Sequence, residues 1–253
     1  MTQALGRKIA LVTGGAAGLG RATALTFAKA GATVIIADVD ERGAEETVRL
    51  ITAAGGAAHA ITTDVTRAEA VEALLTHIAG TWGRLDCACN NAGEADGAPA
   101  WLDLTEDTWA RVLSLNLTGV WLCMRAEIRQ MLTQGRGAIV NMASIYGLVG
   151  SPTSPANTAT KHGVIGLTKS AAVAYAKEGL RINAVCPAFI ESPVLERIFR
   201  EYPQHKDTLV ASHPAGRVGT AEEVGEAVVW LCSDAAGFVT GQALAVDGGY
   251  VAW

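Results

Sequence analysis

Charge is sparse in this chain. Only 18% of its 253 residues are Asp, Glu, Lys or Arg, against roughly 25% in ordinary globular proteins. The net charge is −5 and no run of Lys or Arg occurs, so the clustered cations that nucleic-acid binding demands are missing. Aromatics make up 6%, and there are five cysteines, of which Cys87 and Cys89 form the one close pair. That spacing suits neither a metal site nor a disulfide framework, so no metal is expected and a reducing cytoplasm is the expected setting. Apolar runs such as Ala227–Cys232 fall far short of the ~18 residues of a membrane span, and Ile9–Val12 is too short for a signal-peptide core. No Pro/Ser-rich linker, charge block or internal repeat divides the sequence. Residues 1–253 are therefore expected to form one domain.

Small residues are what the chain has in excess. Glycine occupies 28 positions and half of all residues are apolar, a composition of tight turns and close backbone contacts rather than disorder. Short β-rich apolar runs recur at Ile9–Thr13, Thr33–Ala37, Ala57–Thr62, Leu85–Asn90, Ala138–Met142, Arg181–Cys186 and Ala243–Val246. Longer stretches of helical periodicity lie between them, with Gly31, Gly55, Gly80, Gly135 and Gly179 placed to end helices. Continuous apolar strands alternating with helices indicate an α/β domain whose parallel sheet is covered on both faces. Residues 190–219 break the rhythm with Pro193, Pro203, Pro214, Phe199 and Tyr202. So long an irregular stretch in a compact domain is usually functional, and it is expected to form a substrate lid over the strand ends rather than a plain surface excursion.

The first strand runs into Thr13-Gly14-Gly15-Ala16-Ala17-Gly18-Leu19-Gly20-Arg21, followed by a helical pattern to Ala30. Glycines between a strand and a helix let the backbone approach a pyrophosphate, and the helix N-terminus supplies N–H groups toward it. The second strand ends at Asp38, 18 positions after Gly20. A carboxylate there accepts from ribose hydroxyls and repels a 2′-phosphate. No arginine follows it, so NAD(H) is the expected cofactor. The plainer role for Asp38 is to cap the next helix. Asp64-Val65 would sit beside the adenine, although Asp64 also suits a helix N-cap.

Thr13-Gly14-xxx-Gly18-x-Gly20, Asn90-Asn91-Ala92-Gly93, Asn116, Ser144, Lys161, the Pro187 turn and Asp247-Gly248-Gly249 resemble the short-chain dehydrogenase/reductases, in the same order and over essentially the whole chain. The resemblance implies a single-domain doubly wound Rossmann fold of about seven parallel strands with helices on both faces. It also implies a homotetramer or homodimer, and an NAD(H)-dependent oxidoreductase that moves hydride between nicotinamide and an alcohol or ketone carbon. Position by position, Gly14, Gly18, Leu19 and Gly20 would cradle the dinucleotide, with Asn91, Ala92 and Gly93 beside it. Asn90 would steady the sheet, Ser144 would bond the substrate oxygen, Lys161 would hold the nicotinamide ribose, and Asn116 would hold a relay water. Pro187, Ile190 and Ser192 belong to the turn beside the carboxamide, where Ala188 replaces the family's usual glycine and Ser192 its threonine.

One position departs from that pattern. The family's tyrosine stands four residues before the lysine, so that both share a helix face. Here that residue is Asn157, 13 positions after Ser144 as the motif requires. An amide donates a hydrogen bond but does not release its proton at neutral pH, and a positioned general acid contributes about 10²–10⁴ in rate. Four readings follow. Asn157 is an introduced or natural exchange that impairs an ordinary dehydrogenase. Or Tyr146, on the same side as Ser144 in an extended segment, serves as the acid rather than as a pocket-wall aromatic. Or the substrate is an iminium ion that needs only hydride, its charge held by Glu94 if that carboxylate is not simply solvated. Or the chain is a non-catalytic NAD(H)-binding module. His205 and His213 in the lid are placed to touch substrate unless they are surface residues. His162 is read as a packing residue, Cys186 as a buried structural thiol, and Tyr250 and Trp253 as buried in a subunit contact.

Overall fold

A computed structural model describes residues 4–97, 101–192, 195, 199–201 and 203–252, with backbone alone for 203–205. Seven strands, β1 (Ile9–Thr13), β2 (Thr33–Asp38), β3 (Ala57–Thr62), β4 (Cys87–Asn90), β5 (Gly137–Met142), β6 (Leu180–Pro187) and β7 (Ala243–Val246), form one sheet in the order β3-β2-β1-β4-β5-β6-β7. Every pairing is parallel. The helices are α1 (Gly18–Lys29), α2 (Glu41–Ala53), α3 (Ala68–Trp82), α4 (Glu106–Leu113), α5 (Val120–Gln134), α6 (Pro155–Tyr175), α7 (Pro203–Ala211) and α8 (Ala221–Cys232). This is the doubly wound Rossmann arrangement expected from the sequence.

Strand side chains alternate between two cores, as the two-residue period demands. On one face Leu11, Ile35, Ile139 and Ile182 meet Leu74 and Ile78 of α3, Met131 of α5 and Val164 of α6. On the other, Val12, Val34, Ile36 and Val140 meet Phe27 of α1, Ile51 of α2 and Val224 and Val228 of α8. Burying both faces explains why these strands read as unbroken apolar runs. At α8 the Thr220 hydroxyl accepts from the Glu223 N–H while the Glu223 carboxylate accepts from the Thr220 N–H, a reciprocal cap.

Gly135 and Gly179 end their helices in the left-handed conformation, as expected. Gly80 does not. It lies within α3, and the helix runs on to Gly83, whose φ of 70° closes it. The 190–219 excursion contains α7, and a parallel bridge between Ile190 and Gly219 pinches its two ends together. Pro193, Tyr202 and Trp253 lie outside the described residues.

Strand order reverses between β2-β1 and β1-β4. Connections leave β1 and β4 toward opposite sides there, which opens a crevice at their carboxyl ends. Thr13, Asn90 and Asn141 stand in register across that rim.

Candidate active site

A cleft of about 640 Å³ occupies the crevice. The glycine-rich turn forms its floor. Gly14 has φ of 67°, and a Cβ on Gly20 would lie 2.0 Å from the Gly14 carbonyl oxygen and 2.5 Å from Asn91 Nδ2. Only glycine permits that approach. The Asn91 amide donates to the Thr13 and Gly14 carbonyls at 3.0 Å each, and the Thr13 hydroxyl accepts from the Asn91 and Ala92 N–H groups. The turn is thereby clamped to the end of β4. The first residue of α1 follows Ala17, and no side chain caps that helix. Its first-turn N–H groups stay available to an anion.

Asp38 Oδ2 accepts from the Ala16 N–H at 2.9 Å, and Oδ1 from the Asp40 N–H. The cap of α2 is Asp40, which accepts from Gly43, so Asp38 is not a capping residue and remains in the cleft wall. Asp64 does not cap α3 either. The helix starts from Arg67, while Asp64 Oδ1 accepts from the Thr66 N–H and hydroxyl, which holds its carboxyl below the usual range. Arg21, at the end of the glycine-rich turn, donates to the Ala16 and Gly43 carbonyls and to Thr47 Oγ1. Its guanidinium is spent on holding the turn against α2. Among the described residues lining the cleft, Asp38, Asp40, Asp64 and Glu94 are the acids and Lys161 is the sole cation.

Ser144, Asn157 and Lys161 meet at the opposite end of the same cleft. Ser144 follows β5, and its Oγ accepts from the Tyr146 N–H at 3.2 Å. Asn157 and Lys161 rise from the first two turns of α6. Lys161 Nζ donates to the Met142 carbonyl at 2.8 Å, and burial pulls its ammonium down to about 8. Asn116 belongs to a wider π-helical turn, Ser114–Gly119, that joins α4 to α5. It is fully buried. Its amide donates to the Glu94 carbonyl at 2.8 Å and to Asn157 Oδ1 at 3.5 Å, and its oxygen accepts from the Glu94 N–H. Residue 157 is thus tied to the Glu94 backbone through Asn116.

Other expected residues fall elsewhere. Gly14, Gly18, Leu19, Gly20, Val65, Asn91, Ala92, Gly93 and Pro187 line the cleft, whereas Ile190 and Ser192 do not. Ser192 lines a separate hollow beneath the excursion with Leu195 and Phe199. Asn90 lies under the cleft, donating to Glu127 Oε2 and Asn141 Oδ1. The Glu94 carboxylate is ion-paired with Arg111. Tyr146 packs edge-on against Phe189, in a cluster completed by His213 and Tyr250. Burial raises its phenol above the ordinary range. His213 is only 2% exposed, which corrects its reading as a surface residue. Tyr250 packs its partly exposed ring against Phe189 and His213. His205 sits on α7 with its side chain outside the described residues. Burial drives the Cys186 thiol up to about 11, so it is inert.

Two acids were not singled out by sequence. Asp96 is 5% exposed, accepts from the Asn157 N–H at 3.1 Å and leaves Oδ1 without a partner. Glu127 is fully buried on α5. Neither lies in a patterned motif, because their burial is created by segments distant in sequence.

The fold, the glycine cradle and the Ser144–Lys161 end define a dinucleotide-dependent oxidoreductase, and comparison with known proteins agrees. A family model described as "Enoyl-(Acyl carrier protein) reductase" matches residues 14–251. The cis-4-hydroxycyclohexanecarboxylate dehydrogenase of Sinomonas cyclohexanicum is 44% identical over 252 residues, covering 100% of both chains. The cyclohexanol dehydrogenase of Acinetobacter sp. (strain SE19) is 39% identical, over 99% of this chain and 97% of its own. A crystal structure from Agrobacterium tumefaciens with bound NADP superposes with a TM-score of 0.91 at 35% identity, over 99% of each chain. The chain belongs to the short-chain dehydrogenase/reductase family, whose members bind a nicotinamide cofactor.

Proposed function

We propose that the chain is an NAD(H)-dependent dehydrogenase of a small alicyclic secondary alcohol, with hydride exchange preserved and proton transfer weakened by Asn157. The observation that carries the cofactor choice is the acidic adenosine end of the cleft. Asp38, Asp40 and Asp64 line it, and Arg21 is bound away from it. A 2′-phosphate would meet carboxylates with no cation among the described residues lining that end of the cleft. The cradle fits a dinucleotide, since Gly20 admits no Cβ and the start of α1 is uncapped. Gly14, Gly18, Leu19, Gly20, Asn91, Ala92 and Gly93 would hold its phosphates and nicotinamide side, Asp38 its adenosine ribose, and Val65 its adenine. A bound nicotinamide supplies or accepts the hydride.

In this reading Ser144 donates to the substrate oxygen and Lys161 holds the nicotinamide ribose while keeping positive charge near the reacting oxygen. Asn116 fixes the orientation of Asn157 through the amide contact. Asn157 then offers a hydrogen bond to the substrate oxygen but no transferable proton. Cyclohexane-ring alcohols are favoured as substrates by the two dehydrogenase relatives. The 190–219 excursion serves as lid, and Trp109, Trp121 and Val173, exposed on α4, α5 and α6, are the surfaces through which a homotetramer or homodimer would assemble. The iminium reading is disfavoured because Arg111 already neutralises Glu94.

The test follows NAD(H) turnover with cyclohexanols, the matching ketones and cyclic imines, for the parent protein and Asn157→Tyr. Ketone and alcohol rates should rise about 10²–10⁴-fold in the tyrosine variant, with NAD affinity unchanged and exceeding NADP affinity at least tenfold. Absence of turnover by both proteins, with NAD bound, would establish a binding module instead. Tighter NADP binding would overturn the cofactor assignment.

A further inference from the structure

At the amino ends of the strands, on the opposite edge of the sheet from the active-site cleft, lies a second cleft of about 280 Å³. Four strands that are neighbours in the sheet, β1, β4, β5 and β6, each have a cation within three residues of their first residue that lines this cleft. These are Arg7 with Lys8, then Arg84, Arg136 and Arg181. The five cations face two carboxylates, Asp86 and Asp234, so the cleft carries a net charge of +3 in a chain whose total is −5.

Three of the five have structural work. Lys8 pairs with Asp234 at 2.9 Å. Arg84 pairs with Asp86, which is buried and also accepts from the Ile9 N–H. Arg181 donates to the Leu231 and Ser233 carbonyls at the end of α8, as a cation at a helix C-terminus should. Arg7 and Arg136 have none. Among the described residues neither guanidinium has a hydrogen-bond or ion-pair partner of its own, although the charge of Arg136 reaches Asp234 and, behind Lys8 and Arg181, helps hold that carboxyl low. Arg7 also has φ of 63°, the one non-glycine residue with positive φ in the described chain. It stands in a turn closed by the Lys8 N–H on the Leu5 carbonyl. A side chain there costs conformational energy, and such outliers gather at binding sites.

We infer that this cleft is an anion site for a compact diphosphate, gripped by Arg7 and Arg136 and bordered by Lys8, Arg84 and Arg181. Two uncommitted guanidinium forks match the paired oxygens of phosphate groups. The volume lies just under the ~300–1,000 Å³ of ordinary small-molecule sites, which selects a small, highly charged ligand over a bulky organic one. The two paired carboxylates set the lower limit on ligand charge, since a monoanion gains little over the ion pairs already present.

The test is arginine footprinting of the intact protein with phenylglyoxal, read residue by residue by mass spectrometry, so that a phosphate at the glycine cradle does not confuse the result. Inorganic pyrophosphate at millimolar concentration should slow modification of Arg7 and Arg136 at least fivefold relative to NaCl of equal ionic strength. Arg49, exposed on α2 and paired with Glu46, should be unaffected. ADP in a parallel arm separates a free from a nucleotide-borne diphosphate; protection by either supports the site, and protection by neither overturns it. Arg136→Glu is exposed and unpartnered, so the variant should fold, and pyrophosphate should then no longer protect Arg7. Full protection of Arg7 in that variant would refute a shared site.

Discussion

Glu127 offers the sharpest quantitative test of the buried polar layer beneath the cleft. Its carboxyl is fully buried on α5, and burial pushes it up to about 7 although the Asn90 amide at 2.9 Å pulls the other way. The facing thiols of Cys89 and Cys123 are pushed still higher by burial, so they remain neutral. Glu127 Oε1 and Asn90 Oδ1 are both buried acceptors without a donor. A proton on the acid turns one of these buried acceptors into a neutral hydroxyl and removes the buried charge. Because the folded value exceeds the unfolded one, stability is full below pH 4.5 and declines as pH rises through about 7. The whole displacement corresponds to roughly 3 kcal/mol, and about 2.5 kcal/mol of it falls between pH 5 and pH 8.5. Glu127→Gln keeps the acceptor, adds the donor and removes the titration. Thermal melts of both proteins at the two pH values should therefore differ. Relative to the parent, the variant should gain about 5–10 °C more at pH 8.5 than at pH 5, on the usual conversion for a chain of this size. An equal gap at both pH values would refute the assignment of a neutral acid at this position.

Three further outcomes follow from the same structure. Gly20→Ala places a Cβ 2.0 Å from a backbone oxygen, so it should cost about 1–3 kcal/mol in melts and weaken dinucleotide binding at least tenfold by fluorescence titration. Lys161→Met removes an ammonium whose burial pulls it down to about 8 from 10.5. The folded state disfavours the charge, so the variant should be more stable than the parent by roughly 2–3 kcal/mol at pH 7 in urea titration, with the gap closing as pH approaches 10. Thr220→Ala opens the reciprocal cap of α8 and should cost about 1 kcal/mol, a drop of about 2–4 °C in the melting temperature.

Strand positions were legible in the sequence because a sheet buried on both faces imposes continuous apolar runs, and all seven strands lie where those runs fall. The cofactor cradle was legible because glycine is forced wherever backbone meets backbone, as at Gly20. Helix ends were less so. Gly80 and Gly83 offer the same chemistry three residues apart, and only the packing of Ile78 and Trp82 against the sheet carries α3 on to the second. Asp96 and Glu127 were not legible, because a single acid in a loop or helix carries no mark of its burial. The cations of the second cleft are spread from Arg7 to Arg181 and become neighbours only through strand order. His213 reads as a loop residue until Phe189 and Tyr250 close over it.

The wide turn at Ser114–Gly119 acts as a phase adjuster in the long rod that runs from α4 into α5. A π-turn holds one residue more than the α-helical turn it replaces. Deleting a residue there would restore an unbroken α-helix, and because the wide turn absorbs its surplus residue without turning the rod, α5 would keep its orientation. Asn116 would leave its place between Glu94 and Asn157, while the buried stripe of α5 that carries Glu127 and Met131 would stay against the sheet. The surplus residue therefore serves the site rather than the core. Its loss would cost the Asn116 contacts and spare the packing of α5.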